Sequence, residues 1–159
     1  MDFEQVLQAL LSRFEAQHIR YAVMGGFALG ALGVPRATMD MDVLIHRDDL
    51  ERTHTILGEL GYGRLARMEN VSTYVHQESR WGRIDILHAF RTYSLSMLER
   101  ARAHPIFAGR QVIKVLEPED VIGFKVQALA NNPIRRKKEE VDIEALGHAY
   151  DDDRHREAA

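Results

Sequence analysis

Asp40 and Asp42 stand one residue apart in the run Met39-Asp40-Met41-Asp42-Val43-Leu44-Ile45. Side chains alternate along an extended strand, so both carboxylates fall on one face. No basic residue adjoins them in that run. At a separation of ~5 Å and an effective dielectric of ~20, two ionised carboxylates repel by about 3 kcal/mol, which a folded chain usually neutralises with a cation. The pair therefore reads as half of a metal site. Asp85, between Ile84 and Ile86, repeats the situation in a second apolar segment, where a carboxylate needs a compensating partner. Three acids on two neighbouring strands can hold two Mg²⁺ (or Mn²⁺) ions, one activating an attacking hydroxyl and one clamping nucleotide phosphates. A solvated strand face, with Asp40 paired to Arg36, is the plainer alternative.

Upstream, Met24-Gly25-Gly26 falls between an apolar strand pattern and the start of a helix. Glycines there let backbone N–H groups approach an anion and aim the helix dipole at it, as a triphosphate requires. A tight turn with no ligand uses glycine equally well.

The elements that must position these residues follow from periodicity. Residues 2 to 17 place Phe3, Val6, Leu7, Leu10, Leu11 and Phe14 on one helical stripe, with Asp2 and Gln5 set as a capping box. Residues 20–24 predict a buried strand, 27–32 a short helix ending near Gly33, and 39–45 a second strand. A helix through Leu50, Ile56, Leu57 and Leu60 closes at Gly61. Further strands are expected at 62–67, 71–77 and 82–88, then a helix from Ser94 to about Arg102 and a hairpin within Ile106–Leu116 around Gly109-Arg110. Pro118 opens a helix to about Ala130, and Asn132-Pro133 caps another reaching His148. The tail 151–159 is expected to fray.

With 159 residues, 45% hydrophobic and 28% charged, the chain suits one compact domain over residues 1–150. Cysteine is absent, which leaves no disulfide framework and makes a reducing cytoplasm the natural compartment. No apolar run reaches membrane-spanning length, and Met1-Asp2-Phe3-Glu4 lacks the basic start of a signal peptide. The net charge of −3 argues against a generic nucleic-acid coat. Arg135-Arg136-Lys137-Lys138 reads as a solvated helix face, with Lys138 one turn from Asp142. The eight histidines show no metal-ligand spacing, so His76 and His88 read as ordinary strand residues, and Trp81 as core packing.

A hydrophobic residue followed by Gly-Gly, then acid–hydrophobic–acid, then hydrophobic–acid–hydrophobic resembles the signature of the nucleotidyltransferase superfamily related to DNA polymerase beta. Met24-Gly25-Gly26, Asp40-Met41-Asp42 and Ile84-Asp85-Ile86 supply its three parts in order. The stretch from Gly25-Gly26-Phe27-Ala28 to Arg36-Ala37-Thr38-Met39-Asp40 is similar to the bacterial branch of abortive-infection toxins and lincosamide-type nucleotidyltransferases. It departs from the minimal antitoxin pattern, which has Gly-Ser followed by Ala-Arg-Gly. The resemblance spans roughly residues 20 to 146. It implies metal-ligand and catalytic roles for Asp40, Asp42 and Asp85, phosphate-binding roles for Gly25 and Gly26, and an NTP as substrate. Lys125 lies on the apolar face of the helix opened by Pro118-Glu119-Asp120. The resemblance implies triphosphate contact there, against a snorkelling role. Arg36 is a second candidate for phosphate or acceptor contact.

The fold expected is an α/β nucleotidyltransferase domain, with a mixed, twisted sheet of four to six strands flanked by helices and two C-terminal helices. The activity expected is metal-dependent transfer of a nucleoside monophosphate to a hydroxyl of an RNA 3′ end, a protein side chain or a small antibiotic-like molecule. A toxin–antitoxin or resistance role, with a cognate partner protein, fits that activity. Two other readings stay open: a non-catalytic partner-binding member of the same fold, and a DxD glycosyltransferase, which would need neither Asp85 nor the glycine pair.

Overall fold

The computed structural model of the chain describes residues 1–33, 39–131 and 144–147, with 125–131 described by their backbone. The first helix, α1 (Phe3–Ala16), buries Val6, Leu7, Leu10, Leu11 and Phe14 along one stripe. Asp2 Oδ1 accepts from the Gln5 N–H at 3.1 Å and so caps it. There follow β1 (Tyr21–Met24), α2 (Gly25–Ala31), β2 (Asp40–His46), a short 3-10 turn (Arg47–Asp49), α3 (Leu50–Glu59), β3 (Tyr62–Arg67), β4 (Val71–His76), β5 (Arg83–Ala89), α4 (Thr92–Arg100), β6 (Arg102–Ile106), β7 (Gln111–Val115) and α5 (Pro118–Asn131). Residues 144–147 are helical. The rest of the helix expected from Asn132 to His148 lies outside the described residues, as do Arg36, the Arg135–Lys138 run and the tail. No helix among the described residues is long and apolar enough to cross a membrane.

The strands form one sheet in the order β3-β4-β5-β2-β1-β7-β6. β2 and β5 are parallel, as are β1 and β7, and the other pairs are antiparallel. The sheet therefore has seven strands rather than four to six. The expected hairpin joins this sheet beside β1, and it begins earlier, at Arg102. Pro105 weakens the strand signal there because it offers no N–H, yet an edge strand tolerates it.

Alternation along the central strands builds two cores. Met41, Val43, Ile45, Ile84 and Ile86 face one way, with the stripe of α1 and with Ile56 and Leu57 of α3. Ala22, Met24, Leu44 and Ala89 face the other, with Met97 of α4, Val121 of α5 and Leu146. Helix α2 reaches both, through Ala28 in the first cluster and Leu29 in the second. Asp40 and Asp42 share the Leu44 face of β2, and Asp85 shares the Leu87 face of β5.

Among the described residues, the buried carboxylates Asp49 and Asp120 each sit in a well-made arginine pair. Asp49 has no exposed surface and accepts Arg20 Nε and Nη2 on separate oxygens at 2.9 and 3.0 Å, together with the Arg20 N–H at 2.8 Å. Arg52 also bonds to it. Burial by itself pushes the Asp49 carboxyl up, but the bonds from Arg20 outweigh that and hold it at about 2. Arg100 grips Asp120 in the same two-oxygen manner, at 3.1 and 2.7 Å, and ties α4 to the first turn of α5.

Candidate functional site

The register places the acids in two rows across the sheet. Met24, Asp42, Asp85 and Thr73 are successive partners on β1, β2, β5 and β4. One step along, Asp40 of β2 is the partner of Arg83 on β5. The rows cross the N-terminal ends of β2 and β5 and the C-terminal end of β1, from which α2 departs. Asp40 is exposed, Asp42 partly buried, and Asp85 has a side chain 17% exposed.

Gly25 supplies the turn from β1 into α2 with φ +74. A Cβ there would lie 2.1 Å from Asp42 Oδ2 and 3.0 Å from its Cγ. The turn thus needs glycine twice, for its left-handed backbone and for the close approach of the Asp42 carboxylate. Gly26 lines a cleft with Phe27, Gly30 and the β6–β7 turn residues Phe107 and Ala108.

Asp85 is held by two groups that the sequence does not single out. Thr73 Oγ1 donates to its Oδ1 at 2.7 Å, and Arg83 Nε and Nη2 both reach that same oxygen at 3.3 Å. Arg83 lies two residues from Asp85 on one strand, so the alternation that puts Asp40 beside Asp42 also puts Arg83 beside Asp85. Thr73 is adjacent only through the β4–β5 register, and no spacing within the sequence encodes it. The positive charge that the acids require therefore comes in part from within the chain.

Asp40, Asp42 and Asp85 are brought to one face, with Gly25 against Asp42. Lys125 lies on α5, and its side chain falls outside the described residues, as Arg36 does. Among the described residues, no three His, Cys, Asp or Glu side chains form a group that could enclose a metal ion. The donors nevertheless suit a hard cation that brings ligands of its own. Mg²⁺ is commonly held by one or two carboxylates with substrate phosphates rather than in an all-protein cage. The glycine backbone against Asp42 leaves no side chain between that carboxylate and the start of α2.

The fold matches solved structures closely in extent. ANT(2″)-Ia in complex with adenylyl-2″-tobramycin superposes with a TM-score of 0.70 at 15% identity, over 92% of this chain and 90% of that one. The lincosamide antibiotic adenylyltransferase LnuA, lincomycin-bound, gives 0.62 at 17% identity over 91% and 96%. An antigenic nucleotidyltransferase-like protein from Paracoccidioides brasiliensis gives 0.61 at 20% identity over 91% and 75%. No curated protein shows significant sequence similarity to the chain. A family model described as "Uncharacterised nucleotidyltransferase" matches residues 2–156, which include every strand of the sheet and all three acids, and the chain belongs to that family.

Proposed function

We propose that the chain transfers a nucleoside monophosphate from an NTP to a hydroxyl group, with residues 1–150 acting as one domain. The observation that carries this reading is the pairing of Asp42 with Asp85 across β2 and β5, beside the glycine turn that opens α2. Asp40, Asp42 and Asp85 would be the ligands for divalent metal, and Asp85 also faces the acceptor. The acceptor oxygen bonds to the α-phosphorus as the bond to the pyrophosphate oxygen breaks, and the hydroxyl proton leaves toward the Asp85 carboxylate. Backbone groups at Gly25 and Gly26, with Lys125 and Arg36, position the triphosphate. When bound, two Mg²⁺ or Mn²⁺ ions supply Lewis-acid stabilisation of the phosphate charge and a lower acceptor pKa.

A small hydroxyl-bearing molecule is the acceptor we favour. Two similar folds were solved with antibiotic ligands, one with adenylyl-2″-tobramycin and one with lincomycin, and this chain covers 90% and 96% of their lengths. An RNA 3′ end and a protein side chain are the competing acceptors.

The test incubates the purified chain with each α-labelled NTP, Mg²⁺ or Mn²⁺, and three acceptor pools: aminoglycosides and lincosamides, total RNA, and lysate protein. Transfer of label to one pool is expected, and its loss in folded Asp42→Asn and Asp85→Asn variants. No transfer from any NTP, or full transfer by Asp85→Asn, would overturn the reading.

A further inference from the structure

Three arginine–aspartate pairs in this chain invite comparison. Arg20 on Asp49 and Arg100 on Asp120 are forks, with two nitrogens on two oxygens and at least one distance of 2.9 Å or less. Arg83 on Asp85 differs. Both of its nitrogens crowd Oδ1 at 3.3 Å, an oxygen that already accepts the Thr73 hydroxyl at 2.7 Å. Charge-assisted bonds usually run at ~2.7–2.9 Å, so this contact is long, one-sided and shared. The Arg83 side chain is about half exposed, at 48%, whereas that of Asp85 is mostly enclosed. Asp40, the register partner of Arg83, adds a second negative charge on the same face.

We propose that Arg83 is a resident counter-cation for Asp85 within the acid cluster, held loosely on its Oδ1 so that an incoming metal–nucleotide complex displaces it. This rests on reading the acids as a metal–nucleotide site. A divalent ion and a guanidinium repel one another and compete for the same carboxylate oxygen. The bare protein therefore binds divalent metal weakly. An NTP changes the balance, because its phosphates bring ligands for the ion and negative charge that Arg83 can pair with once released. Thr73 stays on Oδ1 throughout and keeps the Asp85 carboxylate oriented. Arg83 is thus a positioning residue that makes metal binding depend on nucleotide, which limits occupation of the site by free ions.

Mn²⁺ binding, followed by loss of the free-ion paramagnetic resonance signal, tests this without any turnover. Parent, Arg83→Met and Arg83→Lys are titrated alone and then with a non-hydrolysable NTP analogue. A unit charge ~6 Å from a divalent ion changes its affinity about tenfold even at the dielectric of water. Arg83→Met is therefore expected to bind Mn²⁺ at least about tenfold tighter than the parent without nucleotide, and Arg83→Lys to stay near the parent. The analogue should tighten Mn²⁺ binding more in the parent than in Arg83→Met. Should Arg83→Met fold poorly, Arg83→Gln makes the same comparison. Equal or weaker Mn²⁺ binding by the neutral variants, with normal binding by the parent plus analogue, overturns the role of Arg83 and leaves the nucleotidyltransferase reading standing. A parent that binds no Mn²⁺ even with the analogue overturns both.

Discussion

Replacing Gly25 by alanine creates a collision whose size follows from the backbone. The new Cβ would sit 2.1 Å from Asp42 Oδ2, with the Asp42 Cγ and Cβ at 3.0 and 3.1 Å. Restoring ordinary contact requires the carboxylate to retreat by about 1 Å, and the tightness at Cγ and Cβ prevents a simple turn of the carboxylate from relieving it. The left-handed backbone, φ +74, adds ~1–2 kcal/mol for a residue with a side chain. Overpacking adds ~1–3 kcal/mol, and the stiffer unfolded chain returns ~0.4–1 kcal/mol. The net loss is about 1–4 kcal/mol, or roughly 3–12 °C in Tm for a chain of this size. Because Asp42 itself moves, nucleotide transfer should fall by about 100-fold or more, beyond what lost stability explains. Gly30→Ala is the control. It lies in the same helix with nothing within 4 Å of its added Cβ, and better helix propensity should raise stability by about 0.5–1 kcal/mol. Thermal unfolding by circular dichroism, with labelled-NTP transfer on the same samples, makes the comparison. A Gly25→Ala protein that melts with or above the parent and keeps its activity refutes the argument.

Asp49→Asn removes the charge that Arg20 and Arg52 share, and because both arginines are half exposed it should cost about 1.5–3 kcal/mol in urea unfolding. Because Asp49 titrates at about 2 in the fold against 3.8 ordinarily, its stabilisation is full above about pH 4 and fades as pH falls toward 2. The variant should lack that acid slope, and an unchanged slope would count against the buried pair. His88 is depressed by burial, although its bond to the Glu69 carbonyl opposes the shift. Its neutral form therefore stabilises the fold above about pH 6.5, and that contribution is lost on acidification. Replacing His88 by glutamine should flatten Tm against pH between about 7 and 5. Lys125→Met should leave Tm nearly unchanged while calorimetry finds Mg²⁺–NTP bound about tenfold or more weaker; unaltered affinity would assign Lys125 a packing role.

The parts of this protein legible in its sequence are those that alternation and glycine encode locally. The strands through Asp40, Asp42 and Asp85 read correctly because each is an apolar run with the period of a strand. The glycine turn reads correctly because glycine takes a left-handed step between a strand and a helix at the least steric cost. Legibility ends where contact depends on register. Thr73 reaches Asp85 because β4 pairs with β5 in one register and no other, and the sequence carries no mark of that choice. Arg83 was within reach of the alternation argument, but attention to opposite charge between neighbouring residues misses a partner two positions away. Gly25 shows a third limit: its need for φ above zero is readable, whereas its packing against Asp42 exists only in the folded chain. The hairpin reads as starting at Ile106 rather than at Arg102 because Pro105 weakens the strand signal at the edge of the sheet.

Both outer strands of the sheet carry obstacles to pairing with another chain. β6 presents Pro105, which has no N–H to offer a neighbour. β3 has a register break between Arg64 and Ala66, and its sequence sets Arg64 and Arg67 on either side of the exposed Leu65. A bulge twists an edge away from flat docking, and charge makes self-association unfavourable. A sheet so terminated resists end-to-end growth into fibres even at high concentration. Removing the two guards, by Pro105→Val and by Arg64→Thr with Arg67→Thr, would leave both edges open to pairing with copies of the chain through their backbone.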